Sequence, residues 1–441
     1  MPDEGAEGPR RVSTIRRTSL LAPFGQRSFR FQWPADLATS WAFEMETLIL
    51  GWYVLAETGS VVWLTVFAAL QSFGTLISPL YGVMGDRAGH RTVLCAMRAA
   101  YALLAAVLAL LAFTGLLGPV PVILVAALSG LVRPSDIGMR NALIGATMPP
   151  GLLMGAMSIA RTSADAARVA GALTGAGLGG LLGMAHACLA LTGLYLLSLA
   201  LTLRIGEPRG AGEAARAAGA ASAWRDLGEG IVHAWTTPPL LAALCLAFLA
   251  NLAAYPLSGG LLPHVARDVY GIDRAGLGYL AASFAGGALA GSLALGVWGV
   301  RLRPGRTMVV ACLLWFALLL VFSRQESAAA GMVLLALAGF VQSFCMVPMA
   351  VLLLRVSREA FRGRVMGLRM LAVYGLPIGL LAAGPAVERA GFAAAASLYA
   401  GLGLLLALAV ALRWRAHLWP AGAPANRLAA AEAPGAGGAR R

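Results

Sequence analysis

Four stretches of the chain, residues 99–132, 169–203, 275–300 and 327–354, contain no Asp, Glu, Lys or Arg. Each is longer than the roughly 20 apolar residues that carry a helix across the hydrocarbon of a bilayer. One buried core in water cannot use so many apolar helices. Lipid requires them, because a backbone surrounded by hydrocarbon must satisfy its own polar groups. Composition agrees: 59% of the 441 residues are hydrophobic and 12% are charged, whereas soluble domains carry about 25% charged residues. The expected fold class is therefore all-α membrane. The formal charge of +14 comes entirely from arginine, there being no lysine. These arginines gather at helix ends rather than on one face, so no nucleic-acid partner is expected; the partners expected are the lipid bilayer and a small molecule. The abundance of arginine and alanine is compatible with a G+C-rich bacterial genome. Cys95, Cys188, Cys245, Cys312 and Cys345 each stand alone in a different apolar segment, as small core residues do. The first ~27 residues lack the compact apolar region of a signal peptide.

Hydropathy and helix breakers divide the chain into twelve spans, at about 35–56, 61–84, 93–115, 120–146, 152–183, 186–205, 237–262, 275–299, 307–323, 328–355, 365–387 and 391–413. The domains implied are an N-terminal tail (1–30), a six-helix bundle (31–206), a polar linker (207–230), a second six-helix bundle (231–414) and an Ala/Pro/Gly-rich tail (415–441). Arginine placement gives the orientation. With the N-terminus inside, Arg87, Arg91, Arg204, Arg209, Arg225, Arg301, Arg303, Arg306, Arg355, Arg358, Arg362, Arg364, Arg413 and Arg415 all fall on the inner side. Arg267, Arg274, Arg324 and Arg389 fall outside, each beside an acid (Asp268, Asp273, Glu326, Glu388). The bias predicts both termini in the cytoplasm of a bacterial cell, with the chain in its inner membrane.

Between the second and third spans the chain reads Gly82-Val83-Met84-Gly85-Asp86-Arg87-Ala88-Gly89-His90-Arg91. Glycines there permit a tight turn, and Asp86 is placed to cap the third helix. The segment resembles the signature loop of the major facilitator superfamily, in the same place after the second span. Residues 130–150, Leu261-Leu262-Pro263 with Gly276-Leu277-Gly278, and Phe361 to Gly367 resemble the branch holding siderophore and multidrug exporters. The fifth-span run from Arg168 to Gly183 resembles the antiporter motif but lacks its Gly-Pro pair, and Arg303-Pro304-Gly305-Arg306 is a degenerate second copy of the loop. The resemblance implies two bundles that rock about a central cavity, with spans 2, 5, 8 and 11 between the halves. Small-residue stripes (Gly171, Gly175, Gly179 and Gly183 above all) suit close helix approach.

Charges inside spans cost roughly 2.5–3.5 kcal/mol each unless paired or hydrated, and this chain concentrates them in its first half. Glu44 and Glu46 lie in the first span. Arg133, Asp136 and Arg140 share one face of the fourth, and Arg161, Asp165 and Arg168 one face of the fifth. Counting from the Pro149-Pro150 turn places Asp136 level with Arg161 and Arg133 level with Asp165, so two crossed ion pairs are available; Asp136 is expected within reach of Arg161 or Arg140, and Asp165 of Arg133, Arg161 or Arg168. The cluster admits structural pairing, proton coupling through Glu46, Glu44, Asp136 or Asp165, or anion recognition by Arg133, Arg140, Arg161 and Arg168. Glu44 and Glu46 have no arginine on their own helix and point about 200° apart, so one faces a cavity; the reading favours Glu46. Asn251 and Gln342 are candidate uncharged cavity residues.

The function expected is secondary transport, with a proton gradient in place of a cofactor: export of an amphipathic small molecule, or import of a small organic anion. A membrane enzyme would need a catalytic constellation at one depth, and His90, His186, His233, His264 and His417 are scattered at loops and helix ends. Neither a phosphate-binding GxxxxGK[ST] nor a lysine to build one is present. A scaffold is possible in principle but favoured by nothing, and a monomer is expected.

Overall fold

A computed structural model describes residues 21–206, 229, 231–298, 302–357 and 361–419. Most of the N-terminal tail, all of the linker except Glu229, and residues 420–441 lie outside the described residues. The first half comprises α1 (Arg27–Thr58), α2 (Val61–Leu70), α3 (Ser78–Ala88), α4 (His90–Phe113), α5 (Pro119–Thr147), α6 (Pro150–Leu181) and α7 (Gly183–Thr202). The second comprises α8 (Pro238–Val269), α9 (Arg274–Trp298), α10 (Pro304–Phe322), α11 (Ala328–Val356), α12 (Arg362–Ala372), α13 (Gly375–Ala390) and α14 (Phe392–Arg413). Among the described residues nine helices are long and apolar enough to cross a membrane. The 32-residue α1 and α6 are long enough, but their buried charges and, in α6, glycines lower their mean hydropathy.

Three departures from the sequence reading have physical causes. First, α1 begins eight residues earlier than expected, at Arg27, and runs through Pro34. A proline this close to the start removes only the hydrogen bond to the Arg30 carbonyl, so the helix survives it. Second, the second crossing is interrupted: a 3₁₀ segment (Phe73–Ile77) separates α2 from α3. There the backbone meets α5, and a Cβ at Gly74 would sit 2.2 Å from the Leu131 carbonyl oxygen. Third, α8 runs on to Val269 through π-helical turns (Ala250–Ala254, Pro256–Gly260, Val265–Val269). Pro256 and Pro263 remove donors there, and wider turns accommodate the loss.

The halves meet along α6 with α9 and α2 with α13, the pairs that the resemblance implies. Gly171 and Gly175 of the α6 stripe pack within their own half, however: a Cβ at Gly171 would be 2.7 Å from the Glu44 Cβ, and one at Gly175 3.0 Å from the Met45 Cα. The inter-half seam uses Gly278 of α9, whose Cβ would fall 2.3 Å from that of Ala176. Tyr374 donates its hydroxyl across the seam to the Phe73 carbonyl at 3.1 Å, and three further hydrogen bonds gather at one end. Ser60 Oγ donates to Glu388 Oε1 at 2.6 Å, Arg267 to the Leu55 carbonyl at 2.6 Å and Arg274 to the Gly179 carbonyl at 2.8 Å. The second half buries one continuous apolar core around Trp315, Phe316 and Leu319, whereas the first half's core is split into separate clusters.

Candidate functional site

A cavity of about 370 Å³ opens in the part of the first half where α1 begins, away from the hydrogen-bonded end of the seam. Its walls come from α1, α5 and α6: Phe29, Trp33, Asp36, Ser40, Phe43 and Glu44, then Arg133, Arg140 and Asn141, then Met157, Arg161, Ser163 and Arg168. Two indoles fix α1 against α6, Trp33 Nε1 donating to Ser163 Oγ and Trp41 Nε1 to Thr174 Oγ1, both at 2.7 Å.

The charges are paired mostly along their own helices. Asp136 is fully buried against Arg140 one turn away. The contact is an ion pair without hydrogen-bond alignment, since neither Asp136 oxygen has a hydrogen-bond partner. Asp165 lies 3.3 Å from Arg161 and 3.7 Å from Arg168. The crossed pairs Asp136–Arg161 and Arg133–Asp165 are not formed. Equal depth does not bring two side chains together when their helices turn those faces to different neighbours. Arg140 faces α1, donating to Ser40 Oγ at 2.7 Å and the Asp36 carbonyl at 3.1 Å. Arg161 extends into the cavity with its side chain 64% exposed.

Helix α1 also differs from expectation. Glu44, not Glu46, lines the cavity, and it does have an arginine, Arg168 of α6 at 3.5 Å. Glu46 is buried on the other side of α1, where it accepts a hydrogen bond from the Tyr195 hydroxyl beside Tyr101 and Phe43. Within this cluster it is the carboxylate that no described arginine reaches at ion-pair distance. Arg133 is its counterpart. It lines the cavity but is held by neutral groups, the Thr47 hydroxyl at 3.1 Å, the Phe43 carbonyl at 2.8 Å, the Gln71 amide oxygen and the Phe43 ring. Asn251 and Gln342 are buried away from these walls, donating to the Ala247 carbonyl at 2.8 Å and the Tyr255 hydroxyl at 2.7 Å.

Two participants escaped the sequence reading. Asp36 lines the cavity and binds both Arg98, which is fully buried in α4, and Arg140 at 3.7 Å. Arg98 also donates to Thr202 of α7, so one buried arginine joins α1, α4 and α7. A first span taken from residue 35 puts Asp36 at its edge, and Arg98 falls just before the charge-free run 99–132 that marks the third span. The signal that could have found them is an acid and an arginine each about two turns inside a helix.

In the signature loop, α3 ends at Ala88, and Gly89 turns the chain at φ 89° while its N–H donates to the Gly85 carbonyl at 2.9 Å. A side chain would strain that backbone, so glycine is required. Gly89 itself occupies the cap position of α4; the side chain of Asp86 lies outside the described residues. Gly82 has open space around it. Arg87 is exposed, and Arg91 ties the start of α4 to the Thr202 and Leu203 carbonyls at the end of α7.

Comparison with known proteins agrees with this architecture. Residues 244–435 match the family model described as Major Facilitator Superfamily. The chain is similar to the multidrug efflux pump Tap of Mycolicibacterium fortuitum, at 26% identity over 349 residues, covering 77% of this chain and 84% of that protein. Its fold is similar to a D-xylose–proton symporter (TM-score 0.67, 13% identity, 87% of this chain and 97% of that one). It is similar too to a bacterial homologue of the human lysosomal transporter Spinster in an inward-facing conformation (TM-score 0.65, 15% identity, 90% and 98%). Membrane-crossing helices and two halves joined along α6–α9 and α2–α13 make the chain a multi-pass membrane protein with the fold of these transporters, and its second half is similar to the major facilitator superfamily.

Proposed function

We propose that the chain exports amphipathic small molecules from the bacterial cytoplasm across the inner membrane, with both termini cytoplasmic, by exchanging substrate for protons. The observation that carries the coupling is the pairing pattern. Asp36, Glu44, Asp136 and Asp165 each have an arginine within ion-pair distance, whereas Glu46 is buried with a neutral tyrosine hydroxyl. A buried carboxylate with only a neutral donor is the one for which gaining or losing a proton disturbs no ion pair. Its charge is then balanced by Arg133, which is free of any described carboxylate and faces the cavity. A substrate that engages Arg133 and a proton on Glu46 therefore compete electrostatically for the same balance, and that competition is what an exchanger needs.

The amphipathic substrate is supported by cavity walls that mix Phe29, Trp33 and Phe43 with arginines. Export is supported by the similarity to an efflux pump. Alternating access would proceed by rocking about α6–α9 and α2–α13, breaking the Ser60–Glu388, Arg267–Leu55 and Arg274–Gly179 contacts as the opposite end closes. A second reading, import of a small organic anion, is favoured by the arginines of the cavity wall. Inside-out and right-side-out vesicles separate the two. With a labelled panel of amphipathic cations, neutral compounds and organic anions, an imposed acid-inside gradient should drive accumulation of an amphiphile into inside-out vesicles. Accumulation of an anion only in right-side-out vesicles would replace export by import.

A further inference from the structure

A crevice larger than the cavity of the first half lies wholly in the second half. It measures about 870 Å³ and is walled by α8, α12 and α14, with Phe248, Leu252, Leu371 and Leu406 among its sides. Its walls are apolar apart from one group, Arg413, which stands beside Trp414 where α14 ends. The first-half cavity is walled by α1, α5 and α6, so the two spaces share no helix. From Leu244 to Leu252, α8 lines the crevice for about 12 Å of membrane depth at 1.5 Å per residue. The arrangement is apolar along its length and cationic at one end.

We propose that this crevice is a binding site for one anionic phospholipid, its acyl chains between α8, α12 and α14 and its phosphate on Arg413. Trp414 at the end of a membrane-crossing helix marks headgroup depth, since tryptophan concentrates at that interface. Arg413 is the last residue of the crossing Phe392–Arg413, so its guanidinium lies at that level and the apolar walls lie below it. It makes no ion pair among the described residues; its described contact is the Trp414 ring, 5.7 Å from the guanidinium carbon. The same face is rich in arginine by sequence, with Arg362 and Arg364 beginning α12 and Arg415 following α14. Selection must come from this end. A lipid tail gains little by leaving other tails for an apolar protein groove, because both surroundings are equally apolar. The groove supplies shape, and Arg413 distinguishes headgroups.

One basic residue near an anionic headgroup corresponds to about a fivefold preference in binding. The test uses the full-length protein, purified in detergent and stripped of lipid, titrated with phosphatidylglycerol and with phosphatidylcholine of identical chains. Bound lipid is counted by native mass spectrometry. The wild type should hold one phosphatidylglycerol about fivefold more tightly than phosphatidylcholine. Arg413→Ala should equalise the two lipids while leaving weak binding of both. Ala409→Trp, which fills the exposed wall of the groove without touching the core, should abolish the site for both. Equal binding of the two lipids by the wild type would overturn the proposal, as would a headgroup preference that survives Arg413→Ala. So would retention of the bound lipid in Ala409→Trp, which would put it elsewhere on the surface.

Discussion

At the scale of single residues, the first half is organised by who pairs with whom. Arg140 serves Asp136 and Asp36 together, while Asp36 has Arg98 as a second partner. Removing Arg140 therefore strands Asp136, which is fully buried, but not Asp36. Breaking a buried pair by deleting one partner costs about 3–5 kcal/mol, because an uncompensated charge is left in a low dielectric. Arg140→Leu is accordingly expected to lower the melting temperature of the purified protein markedly. The double variant Asp136→Leu with Arg140→Leu should recover most of that loss. If the double variant melts no higher than Arg140→Leu alone, Asp136 is not the group that Arg140 neutralises.

At the scale of elements, the seam between the halves depends on small residues. A Cβ at Gly278 would stand 2.3 Å from the Ala176 Cβ and 2.9 Å from the Ala172 carbonyl oxygen, so even Gly278→Ala must push α9 away from α6. Overpacking of this kind costs about 1–3 kcal/mol. It falls on the conformation described here, whose seam closes beside Arg274 and Gly179. The expected outcome is slower transport and greater labelling of Ser60→Cys, in a cysteine-free background, by a membrane-impermeant maleimide. Wild-type transport with unchanged labelling would mean that the seam does not tighten at Gly278. The elements themselves were largely legible in the sequence. Charge-free runs mark the crossings, and i, i+4 spacing marks Asp136–Arg140 and Arg161–Asp165, because both signals are local to one helix. What stayed hidden was rotational and non-local. Depth counting cannot say that α5 turns Arg140 toward α1 while α6 turns Arg161 into the cavity. Nor could it reveal that Gly171 and Gly175 of α6 meet α1 while Gly179 meets Arg274, or that Glu44 and not Glu46 faces the cavity. Arg98 needed three helices to become visible.

At the scale of the whole molecule, an asymmetric charge distribution matches an asymmetric division of labour. The second half has one unbroken apolar core. The first half holds the cavity, the paired charges and Glu46, the carboxylate whose partner is neutral. Coupling through Glu46 is the central claim, and reconstituted proteoliposomes test it most directly. Two transport modes of one substrate are compared for the wild type and Glu46→Gln. In the first, a pH gradient drives uphill accumulation; in the second, equal pH on both sides permits only substrate exchange. Glutamine keeps the size of the side chain and its hydrogen bond from Tyr195 but cannot titrate. Glu46→Gln should exchange substrate at a rate within about threefold of the wild type yet accumulate none against its gradient, the loss being that of the proton step alone. Uphill accumulation by Glu46→Gln at the wild-type level would contradict the account and move the proton to one of the arginine-paired carboxylates.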